Sequence, residues 1–146
     1  MKHIALVLIL VTCSFAISAQ TVEDLVKIKF SSTTPRTGFT EEIIVSKDSV
    51  WQLTYSKRNP DKKNANTFAI EKSDWEKLIK QIKSVDIKSI ETLKSPTNKR
   101  ATDGARHSEI VFTTKCTKEL VHLFDDDKPN EKLVPLLQQI KNVAKN

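Results

Sequence analysis

Alternation of apolar and polar residues predicts most of the secondary structure of this chain. Residues 22–31 place Val26, Ile28 and Phe30 on one side and lysines on the other, which is typical of a half-buried strand. Five further short segments have strand-like patterns: 39–45, 50–56, 67–70, 109–114 and 119–124. The last two of these carry apolar residues on both faces, which indicates central strands of a sheet.

Two segments instead show apolar residues at helical spacing. The first starts at Ser73, and Glu76 three residues later gives the spacing of a capping box. Its apolar stripe contains Trp75, Leu78, Ile79, Ile82 and Val85. The second helix runs from about Glu131, and Pro135 lies close enough to its start to be tolerated. Its inward stripe contains Leu133, Leu136, Leu137, Ile140 and Val143.

Together these elements predict an α+β fold, with an antiparallel sheet of five or six strands and two amphipathic helices packed on one face. The polar stretches 57–64 and 94–108 are predicted to be loops. We interpret the row Trp51, Leu53 and Tyr55 as core packing rather than as a ligand platform. The two halves share the order hairpin, loop, helix, which suggests a weak hairpin-helix tandem, although any helix that packs on a sheet needs a similar stripe.

The hydrophobic run at the N-terminus has the three-part layout of a secretory signal: Lys2, the apolar residues 4–16, and the small residue Ala19 before the cut. The run is shorter than the ~20 residues that a membrane-spanning helix needs. We therefore expect a signal peptide over 1–19 and one α+β domain over 20–146, exported to the periplasm or the medium and not integral to the membrane. Lipid anchoring at Cys13 is a minor alternative.

Glycine content excludes several classes of enzyme. The chain has only two glycines, Gly38 and Gly104. Dinucleotide fingerprints, phosphate-binding loops and the nucleophile elbow of serine hydrolases each need clustered glycines. We therefore expect no such cofactor and assign no catalytic residue.

The chain is basic, with 24 lysines and arginines against 18 acidic residues and a net charge of +6. Its basic loops, 57–63 and 99–106, contain no interleaved aromatic residues, which argues against binding of nucleic acid. Another envelope protein or an anionic envelope surface is the partner that this charge suggests.

Metal-ligand spacing is also absent from the sequence. The histidines 107 and 122 are too few for a structural zinc site, and the run 125–127 lacks the spacing of a calcium loop. Cys116 is the one cysteine left after removal of the signal, so no internal disulfide is expected. We therefore expect no metal.

One polar cluster is predicted at an end of the sheet. The last hairpin brings the run 125–127 beside Arg106 and His107, with Asp103 nearby. One interpretation is surface ion pairing, which contributes under ~1 kcal/mol per pair. The other is a small binding or acid–base site formed by Asp103, Arg106, His107 and Asp125, in which a histidine titrates near neutral pH.

These observations favour a non-enzymatic binding or interaction module of the cell envelope or the secreted fraction. Two alternatives stay open. One is a small ligand-binding protein or hydrolase that uses the polar cluster, and the other is a structural subunit of an envelope assembly.

Overall fold

Six antiparallel strands form one sheet in this computed structural model, which describes residues 22–100, 104–115 and 118–145. The strands are β1 (Leu25–Thr34), β2 (Phe39–Ser46), β3 (Ser49–Ser56), β4 (Asn59–Ala69), β5 (His107–Thr114) and β6 (Glu119–Asp125). The helices are α1 (Lys72–Lys83) and α2 (Val134–Val143), with short 3₁₀ helices at Val22–Asp24, Ile87–Thr92 and Glu131–Leu133. The predicted α+β fold, with a sheet and two helices, is confirmed.

The strand order is β4-β3-β2-β1-β5-β6, so the N-terminal strand of the sheet is also one of its two central strands. Strands β1 to β4 follow one another as a meander. The chain then passes through α1 and a long loop, and returns to pair β5 with the free side of β1. Phe30 lies opposite Ile43 on one side and Ile110 on the other. Four strands precede α1, and two more lie between α1 and α2.

One face of the sheet is covered by the helices, and the main core lies between the two layers. The strands contribute fully buried side chains that share this face, among them Ile28, Phe30, Ile43, Val45, Ile110, Phe112, Leu120 and Phe124. The helices contribute Leu78, Ile82, Leu136 and Ile140. Burial of each such side chain stabilises the fold by about 1.5–3 kcal/mol relative to exposure, so this layer of contacts holds the helices on the sheet.

The predicted loop over 57–64 is wrong, because from Asn59 these residues belong to one long strand, β4. The strand predicted over 67–70 is the last part of this longer strand. It pairs with β3, with an irregularity opposite Thr54 and Ser56. Every residue of β4 except Phe68 is exposed. A strand that buries neither face needs no apolar alternation, so its sequence gives no period-two pattern.

Three further predictions are corrected. The N-cap of α1 is Glu71, which makes no side-chain capping bond, and Ser73 lies inside the helix. The predicted loop over 94–108 is shorter than expected because β5 already begins at His107. The row that includes Trp51 lies on the face opposite the helices and is absent from the core cluster. Its neighbour Val50 is the β3 residue that enters the core.

Candidate functional site

The chain turns sharply after β6 at Asp126 and Asp127, which both have left-handed backbone conformations, with φ of 52° and 56°. Aspartate adopts this region more readily than most residues because its short polar side chain bonds locally. The Asp126 N–H donates to the Arg106 carbonyl at 2.9 Å, and the Arg106 N–H donates to Asp126 Oδ1 at 3.0 Å. These bonds fix the turn beside the start of β5.

Asp127 accepts four hydrogen bonds from different parts of the chain. Its Oδ1 accepts from the hydroxyls of Ser32 and Ser108, both at 2.8 Å. Its Oδ2 accepts from Lys141 Nζ at 2.8 Å and from Arg106 Nη1 at 3.0 Å. One carboxylate thus connects β1, β5, α2 and the segment before β5. We call Asp127 and these four donors the aspartate cluster.

Asp125 holds the long loop that precedes β5 against β6, through Thr97 and Lys99. Its Oδ2 accepts from the Lys99 N–H at 2.6 Å and from Thr97 Oγ1 at 3.2 Å. Its Oδ1 lies 3.6 Å from Arg100 Nε, which is an ion-pair contact too long for a hydrogen bond. The residue is 1% exposed, so its carboxylate is directed into the molecule.

Three of the four predicted site residues come together at this end of the sheet. His107 and Asp125 are register partners on β5 and β6, and Arg106 directly precedes that pair. Arg106 pairs with Asp127. The His107 Nε2 atom is buried and has no hydrogen-bond partner in the described part of the chain. Asp103 lies outside the described residues.

The carboxylates of the turn are held in their ionised form. Burial opposes ionisation of Asp127, but its bonds to Lys141, Ser108 and Ser32 outweigh burial and lower its pKa below the ordinary value. For Asp126, the bond from the Arg106 N–H is the largest cause of a lowered pKa. Neither carboxyl therefore carries a proton to donate at neutral pH.

The two serine hydroxyls of the aspartate cluster also form their hydrogen bonds inside the protein. Ser32 is 3% exposed and Ser108 is fully buried, and both side chains donate to Asp127. A serine nucleophile must reach a substrate and a base. These two hydroxyls reach a carboxylate in the interior instead, so the arrangement favours a structural role.

His122 is buried on the helix-covered face of the sheet, with 2% exposure. Its Nε2 accepts from the Asn130 N–H at 3.2 Å. Burial lowers the pKa of this histidine, and its bond with the Leu93 backbone partly opposes that effect. A neutral His122 therefore joins β6 to two neighbouring loops, on the opposite face of the sheet from His107.

The sheet face opposite the helices is here called the open face, and residues 97–100 cover its end at Asp125. On β2 and β3 it presents Ile44, Trp51, Leu53 and Tyr55, which we call the aromatic patch. Ile44 and Trp51 are direct cross-strand partners. Trp51 and Tyr55 are half-buried and Leu53 is 7% exposed, yet none of the four belongs to the main core cluster.

Charged groups border the aromatic patch. On the neighbouring β1 and β5 strands, Lys29 Nζ lies 3.1 Å from Glu109 Oε1. The Ser31 hydroxyl donates to the same oxygen at 3.4 Å. Farther across the open face, Leu123 on β6 is 47% exposed. The open face thus has an apolar centre on β2 and β3 and an ion pair beside it.

The sequence identified Trp51, Leu53 and Tyr55 of the aromatic patch as one row, but the interpretation of this row as core packing is wrong. The segment 50–56 has apolar residues in both phases, since Val50 alternates with Trp51, Leu53 and Tyr55, so its pattern does not identify the core side. The inward direction of Ser32 and Ser108 could have been predicted from the sequence, because Ser32 alternates in phase with Phe30 and Ser108 with Ile110. An inward polar residue in a strand needs a buried partner.

Within residues 22–100, 104–115 and 118–145, no group of three or more histidine, cysteine, aspartate or glutamate side chains is placed to hold a metal ion. No helix in this part of the chain combines the length and apolar character needed to cross a membrane. The chain matches no protein-family model, and no curated protein is significantly similar to it. Inference of its function therefore rests on the geometry of its own side chains.

Proposed function

We propose that this chain is an exported, non-enzymatic binding module that contacts a protein partner of the cell envelope through its open face. The aromatic patch is the observation that carries the proposal. Tryptophan and tyrosine are enriched at the energetic centres of protein interfaces, because each buries a large rigid surface and keeps a polar group for the rim. The Lys29–Glu109 pair beside the patch suits the polar border of such an interface.

The polar end of the sheet is a weaker candidate for a ligand or hydrolase site. All four hydrogen bonds to Asp127 come from the protein, and Asp125 is buried under the long loop. A ligand that needed these carboxylates would have to displace Lys141 or the serine hydroxyls. Such displacement leaves buried donors without acceptors, at a cost of about 1–3 kcal/mol each.

Site-specific photo-crosslinking in the producing cells tests the proposal. A benzophenone side chain replaces Tyr55 on the open face or, as the control, Lys80 on the exposed side of α1. We expect one identified envelope protein to crosslink from position 55 and not from position 80. The intact mass of the same material is expected to correspond to a chain that begins at Gln20.

Binding of the purified partner then gives the quantitative test. Trp51→Ala is expected to weaken binding by roughly tenfold or more, because a central aromatic anchor is lost. Val134→Ala is the matched control, since Val134 is an apolar residue of α2 that is 50% exposed on the helical layer. Circular dichroism confirms that both variants are folded.

Three results would overturn the proposal. The first is unchanged partner binding in Trp51→Ala. The second is equal crosslinking from both positions. The third is substrate turnover by the purified chain that disappears in His107→Ala, which would make the polar end of the sheet the functional site. If the chain separates from its partner only when a larger envelope complex is dissociated, the chain is instead a structural subunit of that complex.

A further inference from the structure

A groove with an apolar floor opens at the opposite end of the molecule from the aspartate cluster. It lies between the start of β1 and α1, and its cavity has a volume of about 390 Å³. Leu25, Trp75 and Ile79 supply the apolar floor. Pockets for small molecules typically begin at about 300 Å³, so the groove is large enough for a ligand.

Trp75 also borders a second cavity. This cavity of about 350 Å³ shares Trp75 and Lys47 with the first, and Ile70 adds apolar surface to it. The indole of Trp75 therefore lines both cavities. The rest of the lining of the second cavity is charged, from Asp48, Lys72 and Glu76, so the apolar surface lies mainly in the first cavity.

Three lysines surround the first cavity. Lys47 comes from the β2–β3 turn, Lys83 from the end of α1 and Lys115 from the residue after β5. Lys115 Nζ lies 3.7 Å from Asp24 Oδ1, so part of this charge is balanced within the protein. In the described part of the chain, the exposed Lys47 makes no ion pair. An apolar floor beside ammonium groups is complementary to a molecule with an apolar tail and an anionic head.

We propose that this groove binds a long-chain fatty acid, with its acyl chain along Leu25, Trp75 and Ile79 and its carboxylate at Lys47 and Lys115. The apolar floor accounts for the tail, because burial of methylene groups is favourable in proportion to the area removed from water. The three lysines of the first cavity account for the charge and favour an anionic over a cationic head group there. This proposal is independent of the aromatic patch, which lies on β2 and β3 on the side of the sheet opposite the helices.

Tryptophan fluorescence gives a direct test because the chain has only two tryptophans, Trp51 and Trp75. In the folded full-length mature protein, Trp51→Phe leaves the groove tryptophan as the sole reporter. The variant is titrated with dodecanoate below its micelle-forming concentration. We expect a saturable change in Trp75 emission, with dodecanol binding about tenfold more weakly and dodecyltrimethylammonium giving no saturable change.

Substitution of the lysines tests the assignment of the head group. The double variant Lys47→Ala, Lys115→Ala is expected to weaken dodecanoate binding by about fivefold or more. Lys80→Ala, Lys88→Ala removes the same charge at two exposed positions outside the groove and is expected to leave binding unchanged. The affinity for dodecanol is expected to be the same in both double variants.

The proposal is overturned if Trp75 emission does not saturate, or if dodecanol and dodecanoate bind equally well. It is also overturned if both lysine double variants lose affinity to the same extent, which would indicate a general charge effect. Concentration-dependent sedimentation that Ile79→Gln abolishes would make a second copy of the chain the occupant instead. Loss of partner binding on the open face would leave the fatty-acid result unaffected.

Discussion

Asp127 lies where β1, β5 and α2 meet, and its carboxylate bonds to one residue of each: Ser32, Ser108 and Lys141. The Lys141 ammonium also lies 5.0 Å from the centroid of the Phe30 ring, within the range of a cation–π contact. The carboxylate therefore orients a cation that contacts the core. Removal of its charge leaves that partly buried cation without a counter-ion.

Asp127→Asn is expected to lower the free energy of unfolding at neutral pH by about 2 kcal/mol, because the amide group is a donor facing two cationic donors. The folded-state pKa of Asp127 lies below its ordinary value of 3.8. Its contribution to stability is therefore present above that pH and is lost as the pH falls through the folded-state pKa. Urea unfolding across the acidic range should show a weaker pH dependence in the variant than in the wild type.

Asp126→Asn provides the comparison for this prediction. Asp126 has the same left-handed backbone, and its Oδ1 accepts one backbone hydrogen bond, from Arg106. We expect a smaller loss of stability than in Asp127→Asn. Equal losses in the two variants would mean that the negative charge of either turn carboxylate matters, rather than the particular contacts of Asp127 to β1, β5 and α2.

Some of these contacts were accessible from the sequence and others were not. Inward-phased Ser32 and Ser108 indicate a buried polar partner, and the last hairpin brings the run 125–127 to the same end of the sheet. The identity of that partner depends on which aspartate turns inward. The left-handed turn at Asp126 and Asp127 and the position of α2 determine which aspartate turns inward. Neither feature can be predicted from the local pattern of apolar and polar residues.

The β4 strand shows where sequence patterning stops being informative about an element. Patterning reports burial, and β4 is paired with β3 without being buried on either face. Its polar composition, with Pro60 near its start, is therefore that of a loop. Hydrogen bonding to β3 makes it a strand, and that pairing depends on the β3–β4 turn rather than on a hydrophobic face.

The start of α1 gives a prediction at the level of one helix. Glu71 occupies the N-cap position in an extended conformation, with φ −66° and ψ 136°, and makes no side-chain bond to the first turn. Glu71→Ser places a favoured capping hydroxyl there and is expected to raise the free energy of unfolding by about 0.5–1 kcal/mol. Denaturant unfolding monitored by circular dichroism measures the change.

Ser73→Ala distinguishes this assignment from the capping box that the sequence suggested. Ser73 lies inside α1 and is exposed, so its loss should change stability by less than about 0.5 kcal/mol. A loss near 1 kcal/mol, the usual cost of removing a cap, would instead make Ser73 the N-cap.

The molecule as a whole is asymmetric. Its helical layer buries the central strands, and the far edge of the sheet extends beyond this cover. The core takes most of its sheet residues from β1, β2, β5 and β6, whereas β4 supplies only the partly buried Phe68. Local stability should follow this difference, because few buried contacts hold the β4 edge.

Hydrogen–deuterium exchange measures that distribution. We expect the slowest amide exchange in β1, which has a paired neighbour on each side and lies under the helices. The amides of β4 should exchange at least about tenfold faster, by local opening of the edge. Uniform protection of β1 and β4 would contradict this prediction and indicate one cooperative unit.

The layer architecture followed from the sequence because two helical stripes and several strand patterns each demanded a shared core. The sequence did not predict which side of β3 belongs to the open face. Val50 and Trp51 are adjacent and both apolar, so either set of alternate residues could face the helices. The choice between them depends on the register with Val45, which is a long-range property of the sheet.

The central place of β1 also bears on how the chain acquires its structure during synthesis. β1 emerges first, and β2 can close one of its edges at once. Its other neighbour arrives much later, since Ser32 and its partner Ser108 are separated by 76 positions. Until then Ile28 and Phe30 lack their cross-strand neighbours Phe112 and Ile110, and one hydrogen-bonding edge of β1 is unpaired, which is a state prone to aggregation. A chaperone that binds extended apolar segments should therefore engage the nascent chain mainly before β5 is complete.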